Sequence, residues 1–156
     1  MVNLLDFDSY EKMTDDECWA KYGWGCEAKR GSTVYRTAFD DGRKELFVDE
    51  LKDATYGGDY ACEFFYDGGL EGQWFADTKE DAVRGAIIDS IGIQIMREEG
   101  NCEDAVNVIA REAYVMLFGD CAMIAMSVKE VDELLRIARE FVKSHAEFVG
   151  YEWEEF

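Results

Sequence analysis

The hydrophobic pattern changes its period once, near Thr78, and that change limits the architecture more than any other feature of the chain. Before it, short stretches rich in β-branched and aromatic residues alternate with Gly and Asp, the signature of strands and tight turns. Thr33–Phe39 and Lys44–Val48 flank Asp40-Asp41-Gly42, a glycine-containing hairpin turn. A further pair, about Tyr60–Tyr66 and Gln73–Ala76, is joined across Asp67-Gly68-Gly69-Leu70-Glu71-Gly72. After Thr78 apolar residues recur at helical spacing. Strands followed by helices, without βαβ alternation, predict an α+β domain of 156 residues. The expected layout is an antiparallel sheet of about four strands packed against three main helices. Residues 1–77 read as short helices and β-strands, 78–150 as mainly helical, and 151–156 as an acidic aromatic tail.

Helix starts are written clearly. Thr14-Asp15-Asp16-Glu17 and Ser127-Val128-Lys129-Glu130 are capping boxes, and Thr78-Lys79-Glu80-Asp81 caps a helix to about Glu99. Asn101, with Asp104 three positions on, caps a helix to about Phe118. Val83, Ile87, Ile91 and Ile95 form one stripe, and Gly85 and Gly92, seven apart, predict a close approach by another backbone. The last helix carries apolar residues at 128, 131, 135, 138, 142 and 149, interrupted by His145 and widened by Leu134, Phe141 and Phe148. The expected core includes Phe64, Trp74, Ile87, Ile91, Ile95, Ile109, Leu117, Leu135, Phe141 and Val142. The heptad-like spacing of the last helix leaves homodimerisation open.

The charge is the second constraint. Thirty-five acidic and 16 basic residues give −19, and residues 1–60, 61–100 and 101–156 carry −6, −6 and −7. The acidity therefore belongs to the folded body and not to a detachable tail. With four Trp, eight Tyr and ten Phe, the chain has the aromatic content to fill a core. Direct contact with nucleic acid or an anionic membrane is disfavoured, because phosphate binding needs clustered Lys and Arg. Five Cys without a CxxC pair, no basic leader-like start and no long apolar run predict a reduced, cytoplasmic setting.

Catalytic motifs do not emerge. The single histidine, His145, falls on an apolar helix face, where packing is the expected role. Cys121 or Cys102 paired with His145 has no nucleophile signature around it. Phosphate-binding glycine loops are not present in the sequence. Asp6, Asp8 and Glu17 match three positions of a calcium loop, but Tyr10 and Glu11 stand where that loop needs a ligand and a glycine. Pairs such as Asp15/Asp16, Asp40/Asp41 and Glu98/Glu99 read as solvated faces. No catalytic, cofactor-binding or metal-ligating residue is assigned.

What remains is binding. An acidic body is expected to engage a basic, nucleic-acid-binding protein by imitating the phosphate array of a nucleic acid. In size and charge the chain is similar to small anti-defence proteins of phages and mobile elements, of the anti-CRISPR or anti-restriction kind, without a residue-level motif. The expected contact residues are Tyr151, Glu152, Trp153, Glu154, Glu155 and Phe156 of the tail and Asp40 and Asp41 of the hairpin tip. An immunity or antitoxin-like protein neutralising a basic toxin is the alternative, and a small cytosolic enzyme the third.

Overall fold

The computed structural model describes residues 3–23, 32–39, 42–51, 58–99, 102–119 and 127–145, the backbone alone at Cys102. Among the described residues five antiparallel strands and four α-helices make an α+β arrangement, and the strands lie in the order β1-β2-β3-β4-β5. The strands are β1 (Glu11–Thr14), β2 (Thr33–Phe39), β3 (Lys44–Glu50), β4 (Tyr60–Tyr66) and β5 (Gly69–Ala76). The helices are α1 (Asp15–Tyr22), α2 (Lys79–Glu99), α3 (Cys102–Phe118) and α4 (Val128–His145). Two compact units divide the chain, Leu4–Ala86 and Met1–Asn3 with Ile87–Phe156, the boundary falling within α2.

In the first unit the sheet is a meander, each strand pairing with its sequence neighbour. The expected four strands become five because Glu11–Thr14 adds an edge strand, paired with Thr33–Arg36 of β2. The β4–β5 connection is tighter than expected. Asp67 (φ 48°) and Gly68 (φ 81°) both sit in the left-handed region, which closes a two-residue hairpin with Tyr66 opposite Gly69. Gly69–Gly72, expected as loop, is therefore strand, and the register shifts between Phe64 and Phe65.

The register sorts side chains into two faces. One bears Leu46, Val48, Cys62, Phe64 and Trp74, and in the first two turns of α2 Ala82, Val83 and Ala86 are all buried. A Cβ on Gly85 would fall on the Trp74 ring, so the close approach is by an aromatic ring and not by backbone. The opposite face bears Met13, Val34, Phe47 and Phe65, packed with Cys18 from α1. At the start of α1 the Thr14 hydroxyl accepts from Glu17 N–H (3.2 Å), and the Glu17 carboxylate accepts from Thr14 N–H (3.2 Å). Gly23, at φ 65°, ends the helix with its N–H on the Trp19 carbonyl.

In the second unit α4 buries Leu134, Ile137, Ala138, Phe141 and Val142. The seam is thus rotated by one position from the expected one: Leu135 is half-buried and Val128 is 76% exposed. Gly92 explains part of this, since its missing side chain admits the Phe141 ring. Along α2 the same geometry buries Ile88, Gly92 and Met96 and leaves Ile91 and Ile95 half-buried, as Trp74 is in the first unit. The remaining expected core residues, Phe64, Ile87, Ile109, Leu117, Phe141 and Val142, are buried. Thr78 and Ser127 cap α2 and α4 by accepting from Asp81 N–H (3.1 Å) and Glu130 N–H (3.4 Å). Residue 101, the expected cap of α3, lies outside the described residues.

Candidate functional site

A concavity in the first unit opens beside α1. Its lining is Tyr22 and Gly23 at the end of α1, Glu45 and Phe47 on β3, Phe65 on β4 and Gly68 in the following turn, around about 220 Å³. Strand alternation places Glu45, Phe47 and Asp49 on one face of β3, and Ala61, Glu63 and Phe65 on the same face of β4. The capping box sets the phase of α1, which brings Cys18 and Tyr22, one turn apart, onto that face.

The aromatic walls are nearly perpendicular. The Phe47 ring meets Tyr22 at 5.9 Å and 75°, and Phe65 at 5.6 Å and 88°. A charge network runs beside them. Arg36 donates to Glu45 from its Nε (3.1 Å) and from a terminal nitrogen (2.7 Å), and its guanidinium lies 4.4 Å from the Tyr22 ring centre. Glu11 accepts from Lys21 (2.7 Å) and from the Tyr22 hydroxyl (2.5 Å). Lys21 first, then Tyr22, hold the Glu11 carboxyl below the usual carboxylate range.

Farther along the same face two carboxyl groups are fully enclosed. Glu63, directly opposite Phe47, and Asp49, opposite Ala61, both have 0% exposure. Burial first, and the neighbouring Asp49 next, push the Glu63 carboxyl well above its ordinary range, which favours its protonated form. The same surroundings act on Cys18, whose thiol is pushed up to about 11 by burial and then by Asp49 and Asp15. Cys18 and Cys62 are free and buried. Both sit in the interior as small hydrophobic side chains.

The second unit has a broader hollow of about 580 Å³ on α4, lined by Asp132, Leu135, Arg136, Arg139, Glu140 and Lys143. Arg136 pairs with Glu133 (2.5 Å), and Arg139 with Glu103 of α3 (3.2 Å). His145 stacks on Phe141 at 4.1 Å, with Nδ1 2.9 Å from both the Phe141 carbonyl and Ser144 Oγ. The ring thus packs on the Phe141 side chain.

Asp40 and Asp41, and Tyr151, Glu152, Trp153, Glu154, Glu155 and Phe156, the contact residues expected from sequence, lie outside the described residues, as does Cys121. Asp6 and Glu17 of the partial calcium pattern are used locally, Asp6 accepting from Asp8 N–H (3.3 Å) and Glu17 closing the α1 cap. Among the described residues no group of three His, Cys, Asp or Glu is placed to hold a metal ion, and no helix is long and apolar enough to cross a membrane. The aromatic pocket and the enclosed carboxyl pair escaped the sequence reading. The one available signal was Glu63 inside the otherwise apolar Ala61-Cys62-Glu63-Phe64-Phe65.

Comparison of the chain with known protein families, characterised proteins and solved structures found no match.

Proposed function

We propose that this protein is an acidic inhibitor or adaptor of the cytoplasm that engages a basic, nucleic-acid-binding protein, its carboxylates standing in for phosphates. Anti-CRISPR and anti-restriction proteins of phages and mobile elements are the type of activity meant. The observation that carries the reading is the charge of −19 spread along the whole chain. Exposed carboxylates on each unit support it: Asp16 and Glu17 on α1, Asp67 and Glu71 at the β4–β5 hairpin, Glu98 and Glu99 on α2, Asp104 and Glu112 on α3, and Asp132 and Glu140 on α4. A body of this kind attracts cationic surfaces at long range and repels nucleic acid itself.

The aromatic pocket favours a second reading, an immunity-type protein that neutralises one basic toxin through a localised patch. One experiment separates the two. Labelled duplex DNA is bound to a basic restriction or CRISPR nuclease, and the acidic protein is added while DNA release is followed by anisotropy. Mimicry predicts displacement that weakens steeply as salt rises. Tight binding that persists in high salt and ignores DNA would overturn mimicry in favour of the immunity-type reading.

A further inference from the structure

The two edges of the sheet are finished differently. Among the described residues β1 closes one side and β5 the other. β1 is four residues long and its Lys12 is exposed, and both features discourage a further strand from pairing there. β5 has neither. It runs for eight residues without Lys, Arg or Pro, and past the irregularity at Phe64/Phe65 it follows β4 in unbroken register from Gly72 to Ala76. A terminal strand of this length is a template for another one.

Two apolar side chains mark the same edge. Leu70 is 51% and Phe75 36% exposed, and the register sets both on one face, beside Phe65 and Ala61 of β4. A strand added outside β5 would lay alternate side chains along that face. Charge selects the occupant. Residues 53–78 contain six acidic residues and no Lys or Arg. Glu71 within β5 and Asp77 just after it are exposed, and among the described residues no cation pairs with either. Asp67, at the hairpin tip, meets Arg43 at 4.0 Å, with both side chains more than half exposed. A second copy of the chain would bring the same carboxylates and its own −19 to this edge. A segment that carries Lys or Arg among apolar residues would meet Glu71 and Asp77 with the first and Leu70 and Phe75 with the second.

We infer that the outer edge of β5 takes up a basic, extended segment of the partner as a sixth strand. The inference rests on the proposed function and says how the partner is held. The diffuse charge draws the partner in, and main-chain pairing along β5 fixes its register.

The test is amide hydrogen exchange by NMR on the whole protein, at low ionic strength, with blocked octapeptides at millimolar concentration. One alternates Lys and Val, a second has Glu in place of Lys, and a third is the Lys peptide with Pro at the fourth and fifth positions, which removes a donor from each of its edges. The Lys–Val peptide is expected to slow exchange along Gly69–Ala76 saturably. The Glu and Pro peptides are expected to bind about fivefold more weakly or worse. The double variant Leu70→Ser, Glu71→Lys alters exposed side chains and should lose the same protection, and the peptide comparison stands on the unaltered protein alone. Equal binding of the Glu or Pro peptide, protection that falls outside β5, or no binding overturns the inference. Protection of β5 that grows with protein concentration alone, with a dimer in sedimentation, overturns it in favour of a second copy. DNA displacement is read separately: displacement that survives the double variant removes the edge and leaves the mimicry, and peptide binding without displacement does the reverse.

Discussion

Glu63 of β4 and Asp49 of β3 lie diagonally on one sheet face, two residues apart in register, and neither touches solvent. A carboxylate in such a place loses its hydration, and a second one beside it adds repulsion. Both effects favour the neutral form of Glu63 and raise its pKa well above the usual range.

That shift sets the sign of a pH effect. Below the unfolded pKa of about 4.3 both folded and unfolded Glu63 are protonated and the group costs nothing. As pH rises the unfolded chain ionises while the folded one does not, and stability falls by about 1.4 kcal/mol per pH unit until the folded pKa is reached. Glu63→Gln removes this loss. Urea melts at pH 5 and pH 8 should show the variant gaining on the wild type as pH rises, by about 1 kcal/mol or more. A constant difference would mean that Glu63 does not titrate abnormally.

The capping box of α1 offers a second test. Thr14→Ala removes the acceptor for Glu17 N–H and should cost about 1 kcal/mol in thermal or urea unfolding. Because α1 carries Cys18 and Tyr22, the same change should loosen the pocket and broaden the Gly23 amide signal.

Gly92→Ala and Gly85→Ala set two effects against each other. Alanine favours a helix by about 1 kcal/mol over glycine. Overpacking against Phe141 or Trp74 opposes that gain, costing about 1–3 kcal/mol. We expect net destabilisation at both positions. A raised melting temperature at Gly92→Ala would show that the Phe141 ring moves aside freely.

Cys18 and Cys62 should resist alkylation in the native state. Both are fully buried, and the Cys18 thiol, pushed up to about 11, holds little thiolate at pH 8. Iodoacetamide labelling read by mass spectrometry should mark them only once the protein is unfolded in denaturant.

Much of the fold was legible because its signals are local. Thr14, Thr78 and Ser127 announced three helices through hydrogen bonds spanning three residues, and the structure uses all three. β4 was read to the residue from its aromatic run. β1 was missed because Glu11-Lys12-Met13-Thr14 offers one apolar residue and relies on β2 for definition. In α4 the sequence holds Leu134 and Leu135 side by side, and only packing decides which faces inward; the Phe141 ring, seated at Gly92, selects Leu134. The pocket was illegible for another reason. Tyr22, Glu45 and Phe65 are about twenty residues apart, and nothing short of the strand register brings them together. The enclosed Asp49 and Glu63 were hidden by their abundance, since an acid-rich chain makes every carboxylate look solvated.

Gly23 and Gly68, which line the pocket, hold φ values of 65° and 81°, and beyond each Cα there is open space. Side chains other than Asn or Asp are strained there by about 1–2 kcal/mol. Single substitutions therefore meet a backbone barrier, which restricts mutational drift at these two points of the lining.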